Sequence, residues 1–263
     1  VEPKQTKNKL KTKQNKIKII YNYIMVNSAL YNSIFPSKAQ TGGSKIKKSF
    51  TNLSTLLKGK KELMIMVFAN LITQLGITYY VMTNTKVSKE DSKSIKYWLL
   101  IISTFIIIYL LAIVPMPSWL KFILFSVFSY IWGILLAYFK LRINDDGLIN
   151  MAMLGSIGIF AIMFLIGGFL LATGIELGFK TGLFLLIFLL ALLIGQIFSF
   201  FYKSTILSKT LAAIGIVIFS SYIVYDTNII LQRNYYGDFI TASLDYYLDI
   251  LNIFTKIVLL NDN

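Results

Sequence analysis

The chain has 263 residues, 56% of them hydrophobic and only 14% charged, with a mean hydropathy of +0.67 and a formal net charge of +14. Soluble domains carry about 25% charged residues, so an ordinary soluble fold is excluded. Cysteine and histidine are both absent, which excludes disulfide frameworks, Cys/His zinc sites, cysteine nucleophiles and His-dependent triads, and leaves proton chemistry to carboxylates, Lys and Tyr.

The charge is concentrated at the start. Residues 1–61 hold 14 Lys and one acid, Glu2, whereas the rest carries 12 Lys/Arg against 11 Asp/Glu. The opening run VEPKQTKNKLKTKQNKIK is too polar to bury a core, so 1–61 is expected as a disordered basic tail. Its Lys cluster suits anionic lipid head groups, and no nucleic-acid partner is expected. Residues 17–35 are more apolar, but Asn22, Asn27 and Asn32 argue against a membrane span. No cleavable signal peptide is expected, because the first long apolar run begins only near residue 63.

A membrane span needs roughly 20 mostly apolar residues. Runs of that length fall at about 63–82, 97–114, 119–139, 148–171, 179–201, 211–231 and 239–260. Pro115 and Pro117 end the second run by removing donors and clashing with the preceding turn. Charged residues such as Lys140, Arg142, Asp145 and Asp146 close others. Gly167, Gly168, Gly174 and Gly178 are expected at close helix approaches or turns. The seventh run is the most polar, carrying Asp245, Asp249 and Lys256, the last expected near the interface. The fold class expected is all-α: a polytopic seven-helix transmembrane bundle, residues 62–260, behind the tail. Lys and Arg near the span ends divide evenly, nine to a side, so the N-terminus is placed in the cytoplasm only because a tail of charge +13 is costly to translocate.

Three acids fall inside spans: Asp226 in the sixth run, and Asp245 and Asp249 in the seventh. An ionisable side chain in hydrocarbon is a functional-site hypothesis by default. A short loop joins the two runs, so they form an antiparallel pair. Asp226 lies about 9 Å back from the loop, Asp245 at a similar depth and Asp249 one turn deeper. Depth alone pairs Asp226 with Asp245, and a shift of a few residues erases that preference. Carboxyls converging where water is scarce can share a proton, and oxygen-only ligands suit a hard cation such as Ca²⁺. Tyr246 and Tyr247 flank the acids and are expected to pack.

Tyr225-Asp226-Thr227, then Gly237-Asp238, then Leu248, Asp249, Ile250, Asn252 and Phe254 resemble the C-terminal motifs of the transmembrane Bax inhibitor motif family. Ala152 to Phe160 is similar to that family's fourth span. Asn228 stands where Gln is usual, and Ser156 where Thr is usual. The resemblance implies a seven-helix fold with the last helix central, and Asp226 with Asp249 as the joined pair. It also implies a pH-sensitive Ca²⁺ leak in an intracellular (ER- or Golgi-like) or plasma membrane. On that basis Asp226 and Asp249 are the proton sensor and transient Ca²⁺ contacts, with Asp245 auxiliary. Ca²⁺ is the permeant ion, no cofactor or catalytic residue is expected, and the partners are the bilayer, Ca²⁺ and H⁺. Cell-death or calcium regulation would follow. The alternative is a proton-coupled secondary transporter. An intramembrane aspartyl protease is disfavoured because position 235 is Tyr and no Pro-Ala-Leu motif follows, and a structural role gives little reason for three acids on two helices.

Overall fold

The apolar runs become helices wherever nothing interrupts their backbone ladder, and polar caps set their ends. The computed structural model describes residues 49, 51–88, 90, 94–202, 204–232 and 238–261. Seven long helices follow one another: α1 Lys61–Asn84, α2 Ile95–Ile113, α3 Ser118–Ile143, α4 Asp146–Ala172, α5 Phe179–Tyr202, α6 Thr205–Gln232 and α7 Phe239–Asn261. Residues 51–59, assigned by sequence to the tail, are also helical, with Leu53 buried. The Lys-rich start, the stretch 17–35, Lys203 and residues 233–237, with Gly237, lie outside the described residues.

The capping is local chemistry. Ser94 Oγ accepts the Lys96 amide at the start of α2, and Asp145 Oδ1 accepts the Leu148 amide at the start of α4. Lys140 and Arg142 lie in the last turn of α3, where cations complement the helix dipole. Asn144 then stops the helix at φ 52°, a left-handed conformation that Asn tolerates. Gly174, at φ +88°, makes the α4–α5 turn. Two boundaries move outward relative to the apolar runs, because a charge ends a hydrophobic run without ending a helix. α3 continues past Lys140, and α6 starts at Thr205 and includes Lys209.

Among the described residues, six helices are long and apolar enough to cross a membrane, α1 to α6. The expected count of seven spans is therefore corrected: α7 is a long helix, but Asp245, Asp249 and Lys256 take it out of that class. It is instead the centre of the bundle, packed against α6, α1, α4 and α3. Its polarity and its central position are two sides of one fact, since a helix shielded from lipid can carry polar groups that lipid would exclude. α5 packs on α6, leaving Phe184, Ile187, Leu190 and Ile194 exposed for contact with lipid.

Candidate functional site

The site forms along the α6–α7 seam. Tyr246 Oη donates to Thr227 Oγ1 at 2.9 Å, and further along the seam the alkyl chain of Lys256 lies over Gly215. Rising numbers on α7 thus meet falling numbers on α6, and the pair is antiparallel. In that register the carboxyls of Asp226 and Asp249 come within hydrogen-bonding reach of each other. Asp249 is buried, with Oδ2 lacking any partner, and Asp226 is half-buried.

Depth alone favoured Asp226 with Asp245, and across the seam both Asp245 and Asp249 bear on Asp226, Asp249 through a side-chain hydrogen bond. Side chains on a helix lean toward its N-terminus. Asp226 therefore reaches deeper than its Cα, Asp249 reaches back toward the loop, and the two converge although their Cα atoms sit at different depths. Asp245 is half-buried on the same side of α7 and acts on both acids through its charge.

Two carboxyls from different helices in so dry a place can do one of two things. Sharing a proton, they join the helices; both ionised, they repel or attract a cation. Among the described residues no three acids converge as a metal cluster. Ca²⁺ takes six to eight oxygen ligands, so the pair suits passing contact rather than a resident ion.

Neighbouring groups hold this end of the seam. Asn228 Nδ2 donates to the carbonyls of Gly167 (3.2 Å) and Ile175 (3.0 Å), and its Oδ1 accepts the Leu177 amide at 2.8 Å. Gln232 Nε2 donates to the Leu177 carbonyl at 3.2 Å. These bonds fasten the α4–α5 turn to α6. At the start of α7, Asp238 accepts from the Thr241 amide (3.1 Å), the Thr241 hydroxyl (2.7 Å) and the Lys121 ammonium of α3. Partial burial pushes the Asp238 carboxyl up, but Lys121 and Thr241 outweigh it and hold it below the ordinary carboxylate value.

Asp238→Asn is accordingly expected to destabilise the protein by about 1–2 kcal/mol at neutral pH, the cost of a charge-assisted bond exchanged for a neutral one. A carboxyl whose pKa is depressed on folding contributes fully above its unfolded value, about 4, and loses that contribution as pH falls through the lower folded value. Thermal unfolding in detergent should separate the variant from the parent at neutral pH and bring them together in acid. Equal midpoints at neutral pH would refute the clamp.

Sequence reasoning missed two features. Lys256 is not interfacial but buried, 8% exposed, and among the described residues no carboxylate lies within ion-pair distance of it. A buried polar ladder also joins α1, α3 and α7. Asn70 Nδ2 donates to Ser243 Oγ (2.5 Å), Gln74 Nε2 to Asn70 Oδ1 and Ser126 Oγ (3.2 Å each), and Ser129 Oγ to Gln74 Oε1 (2.9 Å). Thr78 Oγ1 and Tyr247 Oη lie 2.5 Å apart. Asn70, Gln74 and Thr78 recur every fourth residue, the spacing of one helix face, and that was the available signal. Tyr246 and Tyr247 pack as expected, but their hydroxyls bond to threonines rather than to the acids.

An all-helical, multi-pass bundle with an acid pair between its last two helices defines a class of polytopic membrane protein. A family model described as "Inhibitor of apoptosis-promoting Bax1" matches residues 59–261. The chain belongs to this Bax inhibitor family. It is 36% identical over 80 residues to Bax inhibitor 1 of Schizosaccharomyces pombe, covering 30% of each chain. It is 32% identical over 80 residues to Protein lifeguard 4 of Mus musculus, covering 30% of this chain and 33% of that one. Over 78 residues it is 32% identical to Protein LIFEGUARD 1 of Arabidopsis thaliana, covering 29% and 33%. The match thus spans about a third of each relative's length.

Proposed function

We propose that this protein is a proton-gated Ca²⁺ leak of the Bax inhibitor type, with Asp226 and Asp249 as the sensor and Asp245 as an auxiliary acid. The observation that supports this most is the meeting of the Asp226 and Asp249 carboxyls across the α6–α7 seam, with one Asp249 oxygen buried and unbonded. A shared proton clasps α6 to α7. Its loss leaves two anions facing each other, which pushes the helices apart and offers oxygens to a hard cation in transit. Ca²⁺ is cargo, and the reading invokes no catalytic step. The host membrane is intracellular or the plasma membrane, with the N-terminus cytoplasmic. A part in calcium homeostasis or cell-death control follows from the family.

The test is Ca²⁺ efflux from liposomes containing the full chain, followed from mildly acidic to mildly alkaline pH. Asp226→Asn and Asp249→Asn are each expected to flatten the pH response, because an amide cannot ionise. Unchanged flux and pH response in both variants would reject the assignment. Stoichiometric accumulation of a solute against its gradient would instead make the protein a proton-coupled transporter.

A further inference from the structure

A cleft on the other side of α7 has the gradation of a lipid molecule. α4 follows α3 after a connection of two residues, yet it packs on α6 and α7 rather than on α3. Toward the start of α1 the resulting gap is closed by aromatic rings: Phe68 meets Phe164 at 5.3 Å and Phe160 at 6.2 Å. Toward the end of α1 no such plug exists among the described residues, and α1, α3 and α4 leave a groove with α7 as its floor.

The inner part of the groove holds a cavity of about 70 Å³ lined by Leu75, Met82, Leu136, Met153 and Ile250, with Tyr79 and Ile157 at its open side. Met82 also lines the outer part, a polar cleft of about 370 Å³ bounded by Lys86, Lys140, Asn144 and Asp146. The two are therefore consecutive along α1: apolar at hydrocarbon depth, charged at the helix ends. Lys140 Nζ reaches Asp146 Oδ1 at 2.9 Å, but Asp146 is largely exposed, 76%, so this pair is open to exchange. Among the described lining residues, two lysines against one acid leave the mouth with a surplus of one positive charge, and one phosphodiester matches it.

We propose that this groove binds one glycerophospholipid of the surrounding bilayer, an acyl chain lying along Leu75, Met82 and Ile157 and the phosphate held by Lys86 and Lys140. An apolar groove open to hydrocarbon is filled by lipid chains in any membrane. The cationic mouth directly beyond it turns that filling into recognition of a phosphate-bearing headgroup. The site is separate from the aspartate pair and does not depend on the leak reading.

The test is native mass spectrometry of the full chain released from detergent after exchange into phosphatidylglycerol, with diacylglycerol of the same chains as the comparison. The wild type is expected to keep one phospholipid equivalent beyond the readily stripped shell and to hold diacylglycerol more weakly. Lys86→Gln combined with Lys140→Gln should weaken retention of the phospholipid about fivefold, as two exposed charge contacts worth about 0.5 kcal/mol each require. Ile157→Trp, on the exposed rim, should fill the entrance and weaken retention of both lipids. Thermal unfolding of the delipidated variants should match the parent, showing that the fold is intact. Equal retention of phospholipid by the parent and both variants, or of phospholipid and diacylglycerol by the parent, would overturn the proposal. Binding of inorganic phosphate alone at the same lysines, with no dependence on an acyl chain, would overturn it as well.

Discussion

Gly167→Ala is expected to lower the stability of the bundle by about 1–3 kcal/mol, the usual cost of forcing an extra methyl into a packed interface. A methyl at this position would lie 2.5 Å from the Val224 carbonyl oxygen and 2.8 Å from Thr227 Cβ. The first obstacle is backbone, so no rotamer change relieves it, and α4 must move off α6. That movement loosens the Asn228 bond to the Gly167 carbonyl and shifts Thr227, whose hydroxyl accepts from Tyr246 and fixes the α6–α7 register. The same methyl at Gly158, elsewhere on α4, meets nothing within 4 Å. Gly158→Ala should therefore leave the midpoint unchanged or raise it slightly, as alanine does in an open helix position. Thermal unfolding of the two variants side by side is the measurement, and equal midpoints would refute the close approach of α4 and α6.

The positions of the helices were legible because hydrophobic length and helix length nearly coincide in a membrane protein. Leu63 to Met82 predicts α1, and 179–201 predicts α5, to within two residues at each end. The disagreements occur where a helix continues beyond the hydrocarbon, as at Lys140 and Thr205, since the apolar pattern reports lipid contact and not backbone hydrogen bonding. Which helix lies at the centre could be read only from the charges of α7. A run carrying two acids and a lysine scores as the weakest span, and the same property marks it as the helix that the other helices shield.

At the site, residue types were legible and geometry was not. The three acids were found because they are the only ones within the apolar runs. Depth counting favours Asp245 and the family resemblance favours Asp249, and the two differ because depth counting ignores the lean of the side chains. Asn228 was visible only as a departure from the family's Gln. Its bonds to the α4–α5 turn depend on a contact 61 residues away in the chain, which no local pattern carries. Lys256 was misplaced for a related reason. Lying five residues from the end of α7, it is close enough to the surface for its ammonium to be expected in the headgroups, but Gly215 on the facing helix leaves a trough that accommodates the alkyl chain inside the bundle.

Lys256→Met is expected to stabilise the protein, by about 1–3 kcal/mol. Lysine here buries a cation with no carboxylate partner among the described residues. A charge held in this way costs free energy that an apolar side chain of similar length does not. Methionine keeps an unbranched chain over Gly215, and its flexible thioether adapts to the trough. Lys256 lies seven residues beyond Asp249, about 10 Å along α7 and on nearly the same face. On the leak reading, a Ca²⁺ ion moving along the seam from the acid pair is repelled by Lys256 whenever its amine is protonated. Lys256→Met should raise both the unfolding midpoint and the Ca²⁺ efflux rate, whereas Lys256→Arg, which keeps the charge, should raise neither. A lower midpoint for Lys256→Met would mean that the ammonium has a stabilising partner. A higher midpoint with unchanged efflux would place Lys256 outside the ion route while leaving its burial intact.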